Sequence, residues 1–253
     1  MKHKLISFLA LTILVISFLV KEHPYFWIIF IGLIILYLSL TAYGVFQIKA
    51  NYFLNSINKG KNDGIALTFD DGPDPETTPK ILEILQREKI KACFFVIGKK
   101  AEKYPQLIAG IHKDGHILAN HSFEHKHTIG FFSGKRLMAD IEKCSAIIEQ
   151  IIGEKPVFFR PPFGVTNPRY RSVLKKLGLT SIGWTGRSFD TVLQEKTSLV
   201  KRINKIVSNH SILLFHDNLD VTVRALPEII DNCRKQGVKI ISLQNLINIE
   251  PYA

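Results

Sequence analysis

The sequence predicts an α/β fold: a distorted, incomplete β/α barrel of about seven parallel strands, preceded by two transmembrane helices. Two observations carry this. The first fifty residues hold two long runs without charge, and from Lys61 onward short apolar strands alternate with amphipathic helices. A chain of 253 residues has room for one sizeable α/β domain and an anchor, but not for two full domains.

The anchor comes first. Leu5 to Val20 carries no charge, and neither does Tyr25 to Phe46. The second run, of about 22 residues, is long enough as a helix to cross a hydrocarbon core of about 30 Å. The first, of about 16, would cross with local thinning or with snorkelling of Lys4 and Lys21. Between them Lys21-Glu-His-Pro24 is a polar break, and Pro24 suits the first turn of a new helix. Tyr25, Trp27 and Tyr43 are placed for the membrane interfaces. A cleaved signal peptide is the rival reading of Met1–Val20, but a small-x-small cleavage site is missing. A buried helical hairpin is disfavoured because both runs are apolar all round.

The expected division is an anchor over 1–50 (spans 5–20 and 25–46), a linker over 51–63 and a catalytic barrel over 64–253. Lys2 and Lys4 precede the first span, and Lys49, Lys59 and Lys61 follow the second. The positive-inside rule then puts both ends, and the barrel, on the cytoplasmic face of the cell (inner) membrane. If the first run does not span, the barrel lies outside.

In the barrel, Gly64–Asp70 reads as a buried strand. Thr78 is expected to cap a helix beginning at Pro79 and ending near Lys89. Ala92–Ile97 is a second strand, Pro105–Lys113 a helix, and Gly115–Asn120 a third strand. Gly134–Ile152 is the longest helix, with Leu137, Ile141, Cys144, Ile148 and Ile151 at helical spacing. Val157–Arg160 is a short strand and 168–177 a helix. Thr180–Trp184, Ile212–His216 and Lys239–Ser242 complete the strands, with helices over about 196–209 and 222–236.

The net charge is +11 and the pI about 9.5. That surplus favours anionic partners such as acidic lipid headgroups or anionic glycans. Nucleic acid is not expected, since no basic stretch is interleaved with aromatics and no zinc-finger or RNP-like pattern occurs. Cys93, Cys144 and Cys233 are widely spaced and odd in number, and nothing in them suggests a disulfide scaffold; Cys93, in an apolar run, reads as core.

Barrels place chemistry at the carboxyl ends of strands, and polar clusters fall there. Asp70-Asp-Gly-Pro73 ends the first strand. It is a turn signal, yet two adjacent carboxylates repel, and a cation would relieve that. His121-Ser-Phe-Glu-His125 ends the third. Its His-x-x-x-His spacing puts two imidazoles on one face of a helical turn, and with one carboxylate it makes an open three-ligand site. Arg160-Pro-Pro-Phe-Gly164 ends the fourth, with no backbone donor until Phe163 and an arginine suited to pair with a carboxylate. Trp184-Thr-Gly-Arg-Ser-Phe-Asp190 and His216-Asp217 follow the next two. Alone, each has a structural explanation; five in order at one barrel mouth point to a site.

On these motifs the chain resembles the polysaccharide deacetylases, carbohydrate esterase family four, over Gly64 to Ser242. The resemblance implies a hydrolase acting on a non-peptide carbon–nitrogen bond. The expected reaction removes an N-acyl group, first of all N-acetyl, from an amino sugar in a polysaccharide, oligosaccharide or lipid-linked glycan. It implies Asp70 as general base, and Asp71, His121 and His125 as ligands to one divalent metal, zinc first, with cobalt, nickel, manganese or iron as alternatives. Arg160 would orient Asp70, the Phe163 N–H would meet the oxyanion, and His216 would be the general acid tuned by Asp190. Trp184, Pro162 and Arg187 would contact substrate. The family often has tyrosine at Phe163, where only the backbone donor matters, and proline at Lys126. Arg187 replaces a more acidic segment and is expected either to meet an anionic group such as phosphate or to pair with a local acid. His127 reads as a loop residue. The alternatives are a non-catalytic, membrane-bound glycan-binding barrel, and a deformylase or amidase acting on a lipid-linked sugar.

Overall fold

A computed structural model describes residues 2–253. In chain order the elements are α1 (Lys2–Ser17), α2 (Phe26–Phe46), β1 (Ser56–Ile57), β2 (Ala66–Asp70), α3 (Thr78–Arg87), β3 (Cys93–Val96), α4 (Gly98–Lys103), α5 (Pro105–Lys113) and β4 (Ile117–Asn120). There follow α6 (Gly134–Ile152), β5 (Phe158–Phe159), α7 (Pro168–Leu177), β6 (Thr180–Ile182), β7 (Gly186–Arg187), α8 (Lys196–Ile206), β8 (Ile212–His216), α9 (Asp220–Lys235) and α10 (Leu243–Ile247).

The eight strands form one parallel sheet in the order β1-β6-β5-β4-β3-β2-β8-β7. β1 and β7 are the two ends and do not pair, so the barrel is curled but open, as the sequence predicts. Both end strands are two residues long and were not legible as strands. β1 falls inside 51–63, so part of the stretch expected as a linker is an edge of the sheet.

The period of two along each strand sorts side chains between two cores. Leu67 and Phe69 of β2, with Leu213 and Phe215 of β8, point out to α3, α8 and α9. Ala66 of β2, Cys93 and Phe95 of β3 and Ile212 of β8 point into the barrel. Leu243, Leu246 and Ile247 of α10 plug that interior from the amino-terminal end of the strands. Each such fully buried aliphatic or aromatic side chain stabilises the fold by roughly 1.5–3 kcal/mol. The same alternation, carried up β2 and β8, turns Asp70 and His216 inward at the opposite end, where they are register partners.

Three expectations need correction. Lys239–Ser242 is not a strand: it makes one isolated bridge, Ile65 to Ile240. Ser242 then accepts the Asn245 N–H and starts α10, turning the chain away before a ladder can form. Thr78 is not a cap but the first residue of α3; its hydroxyl donates instead to Asp217 Oδ2 at 2.6 Å. Residues 121–125 are not helical. Ser122 and His125 have φ of 71° and 49°, and Asp140 of α6 accepts the N–H groups of Phe123 and Glu124 at 2.9 and 3.0 Å. Those bonds replace the intrahelical ones.

Among the described residues only α2 is long and apolar enough to cross a membrane, with just 6% of its apolar window buried. That exposure is unlike a core helix. α1 is 16 residues long and is followed by a short 3₁₀ turn, Phe18–Val20. The two pack side by side, with Ser7 and Tyr37 hydroxyls 3.0 Å apart.

Candidate active site

The cavity at the carboxyl end of the strands measures about 230 Å³. Asp70, Asp71, His121, His125, Phe163, Trp184, Arg187 and His216 all line it. Asp190 and Arg160 lie behind it, wholly buried. Pro162 is also buried and is not part of the lining, because the turn it begins aims Phe163 and Gly164 at the cavity instead.

Asp70 and Asp71 are adjacent, so in a regular strand they would face opposite ways. Asp71 has φ of 73°, an uncommon value for a residue with a side chain, and this turns its carboxylate to the same mouth. Lys100 Nζ donates to the Asp71 carbonyl at 2.7 Å and holds that turn. Gly72 is required next to it: a Cβ there would lie 2.0 Å from Asp217 Oδ2.

Arg160 is the largest fully buried side chain. Its Nη1 donates to Asp70 Oδ1 at 2.6 Å and to Thr68 Oγ1 at 2.8 Å. Nε and Nη2 donate to the carbonyls of Ile182 and Gly183 at 3.2 and 2.9 Å. The pair with Asp70 is thus single rather than bidentate, because the rest of the guanidinium is committed to β6 and the residue after it. Asp70 Oδ1 is occupied, and Oδ2, 3.8 Å from His121 Nε2, is left towards the cavity.

His121 Nδ1 lies 2.8 Å from the Arg160 carbonyl, which fixes the proton on Nδ1 and leaves the Nε2 lone pair free. Asp71 Oδ1 lies 3.5 Å from that Nε2 and 3.1 Å from His125 Nε2. His125 Nε2 is buried and has no hydrogen-bond partner. Burial, then the charge of His121, pushes His125 down to about 3, so it is a neutral imidazole near pH 7. Burial opposes the charge on Asp71, but the imidazoles around it, His121 first, hold its carboxyl well below the usual range. One carboxylate oxygen and two imidazole nitrogens, all within 4.8 Å of one another and all in ligand form, are a donor set fit for one divalent cation. His127 stacks on Phe163 instead, ring centroids 4.9 Å apart.

Opposite this cluster His216 Nδ1 contacts Asp190 Oδ1 at 2.7 Å. Burial works against a charged His216, but the hydrogen bond and charge of Asp190, with Asp70 and Asp71, raise its pKa above the ordinary value. The family model for polysaccharide deacetylases matches residues 57–182. A peptidoglycan-N-acetylglucosamine deacetylase of Bacillus cereus is 32% identical over 188 residues, covering 72% of this chain and 87% of that one. The chain belongs to the polysaccharide deacetylase family. It is accordingly a hydrolase of non-peptide carbon–nitrogen bonds. A chitooligosaccharide deacetylase of Azorhizobium caulinodans is 35% identical over 157 residues, covering 60% of this chain and 73% of its own. A crystal structure of a peptidoglycan N-acetylglucosamine deacetylase superposes with a TM-score of 0.73 at 27% identity, covering 78% of this chain and 94% of that one.

For this deacetylase the structure adds residues that sequence reasoning missed. Thr191 and Leu214 line the cavity. Thr222 donates to Asp190 Oδ2 at 2.8 Å, and Thr68 braces Arg160. Leu214 was findable, two residues before His216 on the same strand face. Thr222 and Thr191 carry no motif and reach the site only through folding.

Proposed function

We propose that this deacetylase hydrolyses the N-acyl group, first of all N-acetyl, of an amino sugar in a glycan, with Asp70 as base and His216 as acid. Supporting this is one observation above the rest: Asp70 and His216 face one cavity from paired positions of β2 and β8, each with its own buried partner. N-acetylated peptidoglycan and chitooligosaccharide, named for the relatives, are the substrate classes to test first.

Asp71, His121 and His125 would hold a divalent cation, zinc first. When bound, that ion supplies Lewis-acid chemistry, polarising the acyl carbonyl and acidifying water. Asp70, steadied through Oδ1 by Arg160, takes the proton of the attacking water on Oδ2. The Phe163 N–H follows two prolines in a left-handed turn (φ 60°) and donates to the oxyanion that develops as the new C–O bond forms. His216, protonated and oriented by Asp190, gives its Nε2 proton to the nitrogen as the C–N bond breaks. An amine leaves poorly unless protonated, so the acid must stand across the cavity from the base. The products are a free amino sugar and a carboxylic acid.

Residues 1–50 serve as the membrane anchor and 64–253 as the catalytic unit. Packing of α1 along α2, with Lys2 Nζ donating to the Ala50 carbonyl at 2.8 Å, supports the start of α1 and the barrel sharing one face, cytoplasmic by the positive-inside rule. Replacing Asp70 by asparagine tests the chemistry. Turnover of an N-acetylated chitooligosaccharide should fall by about 10²–10⁴ with metal content unchanged. Wild-type rates in that variant would sink the mechanism.

A further inference from the structure

A second cavity, of about 450 Å³, adjoins the catalytic one. The two share Phe163, Trp184 and Arg187 in their walls. Its far wall is the segment Phe46–Lys49, where the chain leaves α2. Lys49, Arg187 and Arg202 line it, and no carboxylate does.

These cations are placed without counter-ions. Arg202 Nε donates to the Arg187 carbonyl at 2.9 Å, and both guanidiniums lie over the Phe189 ring, at 4.0 Å for Arg202 and 5.4 Å for Arg187. Arg187 Nε is buried with no hydrogen-bond partner. Lys49 Nζ donates to the Thr185 carbonyl, a neutral group. Burial, then the charge of Arg187, lowers the pKa of Arg202. Like charges gathered around a cavity repel, and a bound anion would relieve them. Arginine forks fit phosphate oxygens in particular.

We propose that this cavity is a phosphoryl subsite, and that the substrate is a 2-acylamino sugar carrying phosphate on its anomeric carbon, through which it is joined to a lipid. This rests on the reading of the adjoining cavity as the N-acyl hydrolase site. In such a sugar the phosphate-bearing carbon is bonded directly to the amide-bearing carbon, so the two groups enter adjoining cavities together. Beyond the phosphate, the substituent leaves past Phe46, the last residue of the apolar helix α2.

The test is a binding measurement that does not depend on turnover. Full-length Asp70→Asn protein in phosphatidylcholine nanodiscs is titrated calorimetrically with N-acetylglucosamine 1-phosphate, N-acetylglucosamine and inorganic phosphate. The sugar phosphate should bind at least about tenfold more tightly than either fragment, the worth of one charge-assisted contact. Arg187→Gln and Arg202→Gln should remove that preference, and Arg202→Lys should restore part of it. Lys49→Gln, on an exposed segment, should weaken only the phosphorylated ligands, by a few-fold, even if an arginine variant fails to fold. Equal affinity for the two sugars, or equal loss of both in the variants, would overturn the subsite. Inorganic phosphate matching the sugar phosphate, or its displacement by phosphatidylglycerol in the disc, would reassign the cavity to free phosphate or bulk headgroups. A long-chain lipid ester of the sugar phosphate should bind more tightly again, and no gain over the soluble form would overturn the lipid link. Failure of the wild-type protein to hydrolyse any amide, with this binding intact, would strike the hydrolase reading and leave the subsite standing.

Discussion

His216 Nδ1 lies 2.7 Å from Asp190 Oδ1, while Asp190 Oδ2 accepts the His216 backbone N–H and the Thr222 hydroxyl, both at 2.8 Å. The carboxylate therefore grips the histidine at ring and backbone together. The imidazole cannot rotate, and Nε2 is committed to the cavity.

The pH profile follows from this grip. His216 acts while protonated, and Asp190 raises its pKa. Activity should fall as pH rises through that pKa. Asp190→Asn removes the charge that raises it, so the alkaline limb of kcat/KM moves to lower pH. At pH 8 the variant should lose about a hundredfold or more, and less at pH 6. Superimposable limbs in the two proteins would remove Asp190 from this role.

Metal retention should depend on the three convergent ligands. His125→Ala and Asp71→Ala should each lose bound metal on dialysis, measured by elemental analysis, with unchanged far-ultraviolet circular dichroism. The ligands sit beyond strand ends rather than within the ladder, so the fold does not need them. Stoichiometric metal in His125→Ala would exclude it as a ligand.

Arg160 and Asp70 form a buried ion pair, and breaking it from one side strands a charge. Arg160→Met should cost about 3–5 kcal/mol in denaturant unfolding. Adding Asp70→Leu should recover most of that, although the double variant remains inactive. A double variant no more stable than Arg160→Met would show that the guanidinium's carbonyl contacts dominate.

Gly164 should not tolerate a side chain. Its φ is +69°, and a Cβ would lie 2.4 Å from Trp184 Cη2. Gly164→Ala should destabilise by about 1–3 kcal/mol and raise KM more than it lowers kcat, since it displaces a cavity wall rather than a reacting group. Unaltered stability and KM would contradict this packing.

The membrane face can be read with one thiol. The native cysteines are all buried. Lys135→Cys adds an exposed one at the start of α6. A membrane-impermeant maleimide should label it in opened cells and not in intact ones. Labelling in intact cells would place the barrel outside.

Much of the site was legible because it sits where strands end. Asp70, His121, Arg160 and His216 each close an apolar run, and a parallel sheet gathers such ends at one mouth. His125 was legible by spacing, but the reason was wrong: a bend held by Asp140 brings the imidazoles together, and not a helical turn. Asp140 belongs to α6, beyond the reach of local pattern. Arg187 was open to two readings, an anion or a local acid; its buried Nε has no hydrogen-bond partner among the described residues, which disfavours the local acid.

The amino-acid sequence alone determined the alternation of elements, the two apolar helices and the polar residues that close the longer strands. Those depend on hydrophobic period, which is local. Tertiary structure decided the rest: the open edge between β1 and β7, α10 as the plug, Thr222 on Asp190, and the placing of α2's end on the cavity beside the catalytic one. Each of these depends on which distant segments meet, and two-residue strands and lone hydroxyls carry too little periodicity to announce their partners.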